Sequence, residues 1–75
     1  MSSKEIANQI KKIIDDMWAQ EITNQDALDQ IKIILSSREN KLKVIRGSEK
    51  TAVFIRVMGV KRLKSFDELL NEMNI

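Results

Sequence analysis

Leu42-Lys-Val-Ile-Arg-Gly-Ser-Glu-Lys-Thr-Ala-Val-Phe-Ile-Arg-Val-Met58 is the stretch whose conformation decides the fold. It admits two readings. In the first, Leu42–Arg46 and Glu49–Val57 are strands around a Gly47-Ser48 turn. Glycine first in a two-residue loop suits a type II′ turn. Val53, Ile55 and Val57 alternate as strand residues do. In the second, Ser48 caps a helix over 49–58, and Gly59 takes the left-handed position just past its end. Val53, Phe54, Val57 and Met58 would then form the buried face. The β-branched residues favour the strands, and the cap-and-glycine punctuation favours the helix. On composition the two are evenly matched.

N-terminal to this stretch the pattern is plainer. Residues 3–21 have the period of an amphipathic helix, with Ile6, Ile10, Ile13, Ile14 and Met17 on one stripe and Trp18 at its edge. Ser2 and Glu5 have the spacing of a capping box. Thr23 or Asn24 opens a second helix that runs to about Glu39, with Asp26 in its first turn. Ala27, Leu28, Ile31, Ile34 and Leu35 share its inner face, and Ile33 points away. The short Ile22–Gln25 connection makes the pair an αα-hairpin. Residues 40–48 read as a connection. C-terminal to the deciding stretch, Ser65 and Glu68 form a second capping box for a short helix at 66–74, with Phe66, Leu69, Leu70 and Met73 inward.

The expected architecture is a single all-α domain over residues 1–75, with three to four helices beginning in an αα-hairpin. The alternative is an α+β domain with a β-hairpin at about 42–57. A chain of 75 residues buries only about 60% of its unfolded surface, so its core is marginal. It has no Cys and no His, which removes disulfides, thiolate metal sites and the commonest general base. No apolar run approaches the ~20 residues of a membrane span, and no signal-peptide core follows Met1. The expected setting is the cytoplasm of a bacterial host cell.

Charge is unevenly placed. Arg38–Lys64 carries nine basic and two acidic residues, a net +7 within a chain of net +2. Its flanks are net acidic. Lys and Arg concentrated in this way neutralise phosphates without reading sequence. Lys43, Arg46, Lys50, Arg56, Lys61, Arg62 and Lys64 are therefore the candidate contacts to a nucleic acid or an acidic protein surface. Trp18, Ile33 and Ile55 lie off the core stripes and are candidates for an apolar interface with a protein partner or a second copy in a homodimer.

Thr51, Val53, Phe54, Gly59, Lys61, Arg62 and Leu63 carry a resemblance. The run 51–63 resembles the closing segment of small uncharacterised proteins from Gram-positive bacteria and their phages and mobile elements. Those proteins have two amphipathic helices, a Thr-x-Val-Phe-like run and Gly-x-Lys-Arg-Leu. The resemblance covers 13 residues and implies a helix over 49–58 and a phage or mobile-element accessory role. The family has polar residues at both positions matching Ile55 and Arg56, so Ile55 departs from its pattern.

Catalysis has little to work with. Asp26 and Asp29 sit at i, i+3, a spacing that could hold Mg²⁺ in principle, but first-turn acids are routine at helix starts. No Ser, Thr or Lys has a His partner. The protein is expected to be no enzyme, to use no metal or other cofactor and no small-molecule substrate, and to contact no membrane. The function expected is a non-catalytic binding protein whose segment 38–64 meets nucleic acid. An inhibitor of a host nucleic-acid enzyme or defence system, of the anti-restriction or anti-CRISPR type, is the alternative. A self-assembling structural module is the third.

Overall fold

The computed structural model describes residues 2–73. Four helices and a minimal β-hairpin follow in the order α1 (Ser3–Trp18), α2 (Asn24–Ser36), α3 (Arg38–Val44), β1 (Ile45–Arg46), β2 (Glu49–Lys50) and α4 (Ala52–Met73). The small helical domain expected is therefore present, and both readings of residues 42–58 hold in part. The hairpin forms but spans two residues per strand, with Ile45 opposite Lys50 and Arg46 opposite Glu49. Its turn has Gly47 at φ +64° and Ser48 at negative φ, the signs of a type II′ turn. The helix then starts at Ala52 and not at residue 49.

Thr51 makes that switch. Its hydroxyl donates to the Lys43 carbonyl at 2.8 Å and accepts from the Phe54 amide at 3.4 Å. Its own amide donates to the Val44 carbonyl at 2.8 Å. One residue thus ties the hairpin exit to the end of α3 and caps α4, the role the sequence assigned to Ser48. Once the helix is capped, Phe54 and Met58 lie i, i+4 on its inner face and are fully buried. Val53 and Val57 are half-buried beside them. The β-branched residues are tolerated because burying this face outweighs their weak helix preference, a matter of a few tenths of a kcal/mol each.

Other boundaries differ from expectation for local reasons. α1 ends at Trp18 and does not reach residue 21, because Gln20 turns to φ +62°. The Gln20 amide donates to the Met17 carbonyl and the Glu21 amide to the Asp16 carbonyl, the bond pair of a Schellman stop made without glycine. α2 ends at Ser36 because Ser37 leaves the helical region and caps α3 through the Asn40 amide. Residues 38–44, expected as helix end and connection, are a helix of their own that buries only Val44. The capping box expected at Ser2–Glu5 is formed, and Thr23, one of the two residues expected to open α2, makes another with Asp26. The one expected at Ser65–Glu68 is not formed, since residues 60–73 are already helical and Ser65 lies mid-helix. The expected helix 66–74 is the end of α4, with Asn74 outside the described residues.

α1 packs chiefly on α4 and secondarily on α2 and α3. The core is a single apolar cluster, with Ile6, Ile10 and Ile14 of α1 and Ile31 of α2 fully buried alongside Phe54, Met58 and Phe66 of α4. α4 is bent at Gly59, whose φ of 76° and ψ of 167° lie outside the left-handed helical region expected there and in one open mainly to glycine. The bend brings the Phe54 and Phe66 rings to a centroid separation of 4.8 Å at 60°.

A Cβ added at Gly59 meets no atom within 4 Å, so a substitution there is opposed by backbone conformation alone. Gly59→Ala is expected to lower stability by about 1–3 kcal/mol in urea unfolding. A loss below about 0.5 kcal/mol, the usual size of a neutral surface change, would show that the bend is not maintained in solution.

Candidate interaction surface

The candidate cations fall into two groups. The first surrounds the hairpin. Lys43 of α3, Arg46 of β1 and Lys50 of β2 line one groove, together with Glu49 and Thr51. Lys43 is 3.5 Å from Glu39 one turn earlier. Lys50 reaches Asp67 of α4 at 2.6 Å and so braces the hairpin against that helix. Arg46 is exposed, and its Nε donates to the Leu42 carbonyl at 3.4 Å.

The second group is on α4. Arg56, Lys61 and Lys64 are exposed, and among the described residues they make no ion pair. Arg62 behaves differently from its neighbours. Its Nε donates to Asp15 Oδ1 at 2.8 Å and its Nη2 to Asp15 Oδ2 at 3.2 Å, a bidentate pair. Its Nη1 donates to the Met58 carbonyl at 3.2 Å, in the last turn before the bend. Its guanidinium carbon also lies 5.8 Å from the Trp18 ring centroid. The Trp18 indole N–H donates to the Ser65 hydroxyl at 3.2 Å. Asp15, Trp18, Arg62 and Ser65 together clamp the end of α1 to the second arm of α4. Arg62 is thus bound within the fold, whereas Arg38 and Lys41, not singled out from the sequence, are exposed and unpaired among the described residues. Membership of the basic block was the only sequence signal for those two.

The apolar candidates lie in different places. Ile33 is 71% exposed and lines a groove between α1 and α2 with Ile13 and Ile34. Lys12 borders the same groove. Its hydrogen bond to Asp16 and then the charge attraction to that carboxylate raise its pKa above the ordinary Lys value. Ile55 lines a separate groove with Leu63, Lys50 and Asp67. Trp18 lines neither. The three therefore do not form one patch, and Val60, at 85% exposed, is a further apolar residue the sequence reading missed.

Asp26 and Asp29, the spacing considered for Mg²⁺, are engaged locally. Asp26 accepts from the Thr23 amide in the α2 capping box, and Asp29 accepts from the Gln25 side chain. Among the described residues no three His, Cys, Asp or Glu side chains gather as a metal site. No helix among them is long and apolar enough to cross a membrane.

These features define a small four-helix domain with an apolar core and a basic outer surface built from residues 38–64. The chain belongs to a family described as "conserved hypothetical protein", whose model matches residues 2–71. No curated protein and no solved structure matches it.

The clamp is testable by a double-mutant cycle. Asp15→Asn and Arg62→Gln are expected to show a coupling of about 1 kcal/mol, at the upper end for a partly exposed pair and decreasing with salt. Strictly additive losses would mean that the bidentate pair contributes nothing to stability.

Proposed function

We propose that this is a non-catalytic binding protein whose segment 38–64 contacts nucleic acid through the phosphate backbone, in an accessory role in a phage or mobile element. One observation carries the reading. Arg38, Lys41, Arg46, Arg56, Lys61 and Lys64 all belong to one stretch of sequence, are exposed, and make no ion pair among the described residues. Charges left in this state contribute little to folding, and a polyanion gains from them by releasing its own counterions. Backbone contacts of this kind position a protein on a duplex without specifying sequence. The phage or mobile-element setting rests on the resemblance carried by residues 51–63.

A second reading is favoured by the α1–α2 groove. An Ile33 that is 71% exposed over Ile13 and Ile34 suits a protein partner, as an inhibitor of a host nucleic-acid enzyme or defence system would have.

Fluorescence anisotropy on a random-sequence duplex at about 50 mM salt separates the two. Lys61→Glu with Lys64→Glu is expected to weaken binding by roughly tenfold or more, the equivalent of about 1.4 kcal/mol. These positions are preferable to Arg62, whose loss would also release Asp15. Ile33→Ala is expected to leave duplex affinity unchanged. Absence of duplex binding by the unaltered protein would overturn the nucleic-acid reading and leave the protein-partner one.

A further inference from the structure

We propose that the groove lined by Lys43, Arg46 and Lys50 is a subsite for a single phosphate group. It deepens the nucleic-acid reading, since a backbone phosphodiester would be one source of that group; a small phosphorylated molecule would be the other. Three cations from α3, β1 and β2 line one groove of about 340 Å³, with Glu49 as the only acid among its lining residues. Lys43 and Lys50 are already paired with Glu39 and Asp67 outside the lining, so Arg46 is the groove cation that an incoming phosphate meets without a carboxylate partner among the described residues.

The individual donors suit such an anion. The Arg46 Nε is engaged by the Leu42 carbonyl, which orients the guanidinium and leaves its terminal nitrogens for a two-point contact with phosphate oxygens. The Lys50 ammonium has three N–H donors and its ion pair with Asp67 needs one of them. The side chains of Lys43 and Lys50 are only 21% and 25% exposed, so both are already held in place and lose little freedom on binding. Thr51, which also lines the groove, joins the hairpin exit to α3 through the Lys43 carbonyl.

The test follows the amide ¹H–¹⁵N resonances of the full chain as inorganic pyrophosphate is added. Saturable shifts centred on residues 43–53 are expected. Arg46→Gln should weaken this binding by roughly tenfold, the scale of one charge-assisted hydrogen bond. Arg46→Lys, which keeps the charge but loses the fork, should retain part of it. Lys61→Gln, outside the groove, should change nothing. Shifts spread evenly over all surface cations, or none, would overturn the proposal, as would an Arg46→Gln variant that binds like the parent.

A parallel titration with a short duplex separates the two sources. Shifts of the same residues, suppressed by pyrophosphate, would assign the groove to a backbone phosphate. Saturable pyrophosphate binding with no duplex binding would uphold the groove for a small phosphorylated ligand while the nucleic-acid reading fails. Duplex binding that leaves residues 43–53 unperturbed would overturn the groove and leave that reading standing.

Discussion

The contact between Phe54 and Phe66 is the interaction on which the rest of the molecule depends. On a straight helix, residues with this separation would lie about 18 Å apart along the axis, at about 1.5 Å per residue. Their ring centroids are 4.8 Å apart. Only the reversal at Gly59 closes that gap, and only glycine adopts its backbone geometry readily. A straight α4 would also be about 33 Å long, against a longest overall dimension of 29 Å. The bend thus turns one long helix into two arms that enclose the same core. α1, buried through Ile6, Ile10 and Ile14, has α4 as its main partner.

The same bend sorts the basic segment. Residues 38–64 are rich in both cations and apolar side chains. Val44, Phe54 and Met58 go fully inward, and Leu63 packs partly against the core. The cations are left outside on α3, the hairpin and both arms of α4. The exceptions are informative. Lys50 and Arg62 each reach a carboxylate on another stretch of the chain, Asp67 and Asp15, and so brace the hairpin and α1 against α4. In a domain too small for a large core, such braces are a use for charge distinct from partner binding. Arg62 is thus committed to the fold, Lys50 braces the hairpin while also lining the groove with Lys43 and Arg46, and most of the remaining cations face outward.

Much of the fold was legible in local chemistry. The Ser2–Glu5 capping box, the start of α2 at Thr23, the αα-hairpin and the Gly47-Ser48 turn follow from side chains acting within a few residues of themselves. The misread boundaries share a cause. Gln20 ends α1 in a conformation that glycine usually signals, Ser37 both ends one helix and starts the next, and Thr51 caps α4 because tertiary contacts bring it to the Lys43 carbonyl. None of these has a distinctive local pattern. The choice between strand and helix at 42–58 was evenly matched because the chain does both in succession, a hairpin of minimal length and then a helix. For the candidate surface, the charge excess was visible by counting. The internal use of Arg62 was not, since its partner Asp15 lies 47 positions away. Ile33 was placed correctly off the core by helical phase alone, whereas Val60 was hidden by the unexpected start of the second arm of α4.

The central claim is that the outward cations of residues 38–64 meet phosphates. The most direct measurement is the salt dependence of duplex affinity for the unaltered protein between about 50 and 200 mM salt. Each phosphate neutralised contributes about 0.9 to the slope of log affinity against log salt on duplex DNA. With Arg38, Lys41, Arg46, Arg56, Lys61 and Lys64 available but spread over several elements, the account predicts a slope between about −3 and −5. A slope near zero, or no measurable affinity at the low-salt end, would contradict it.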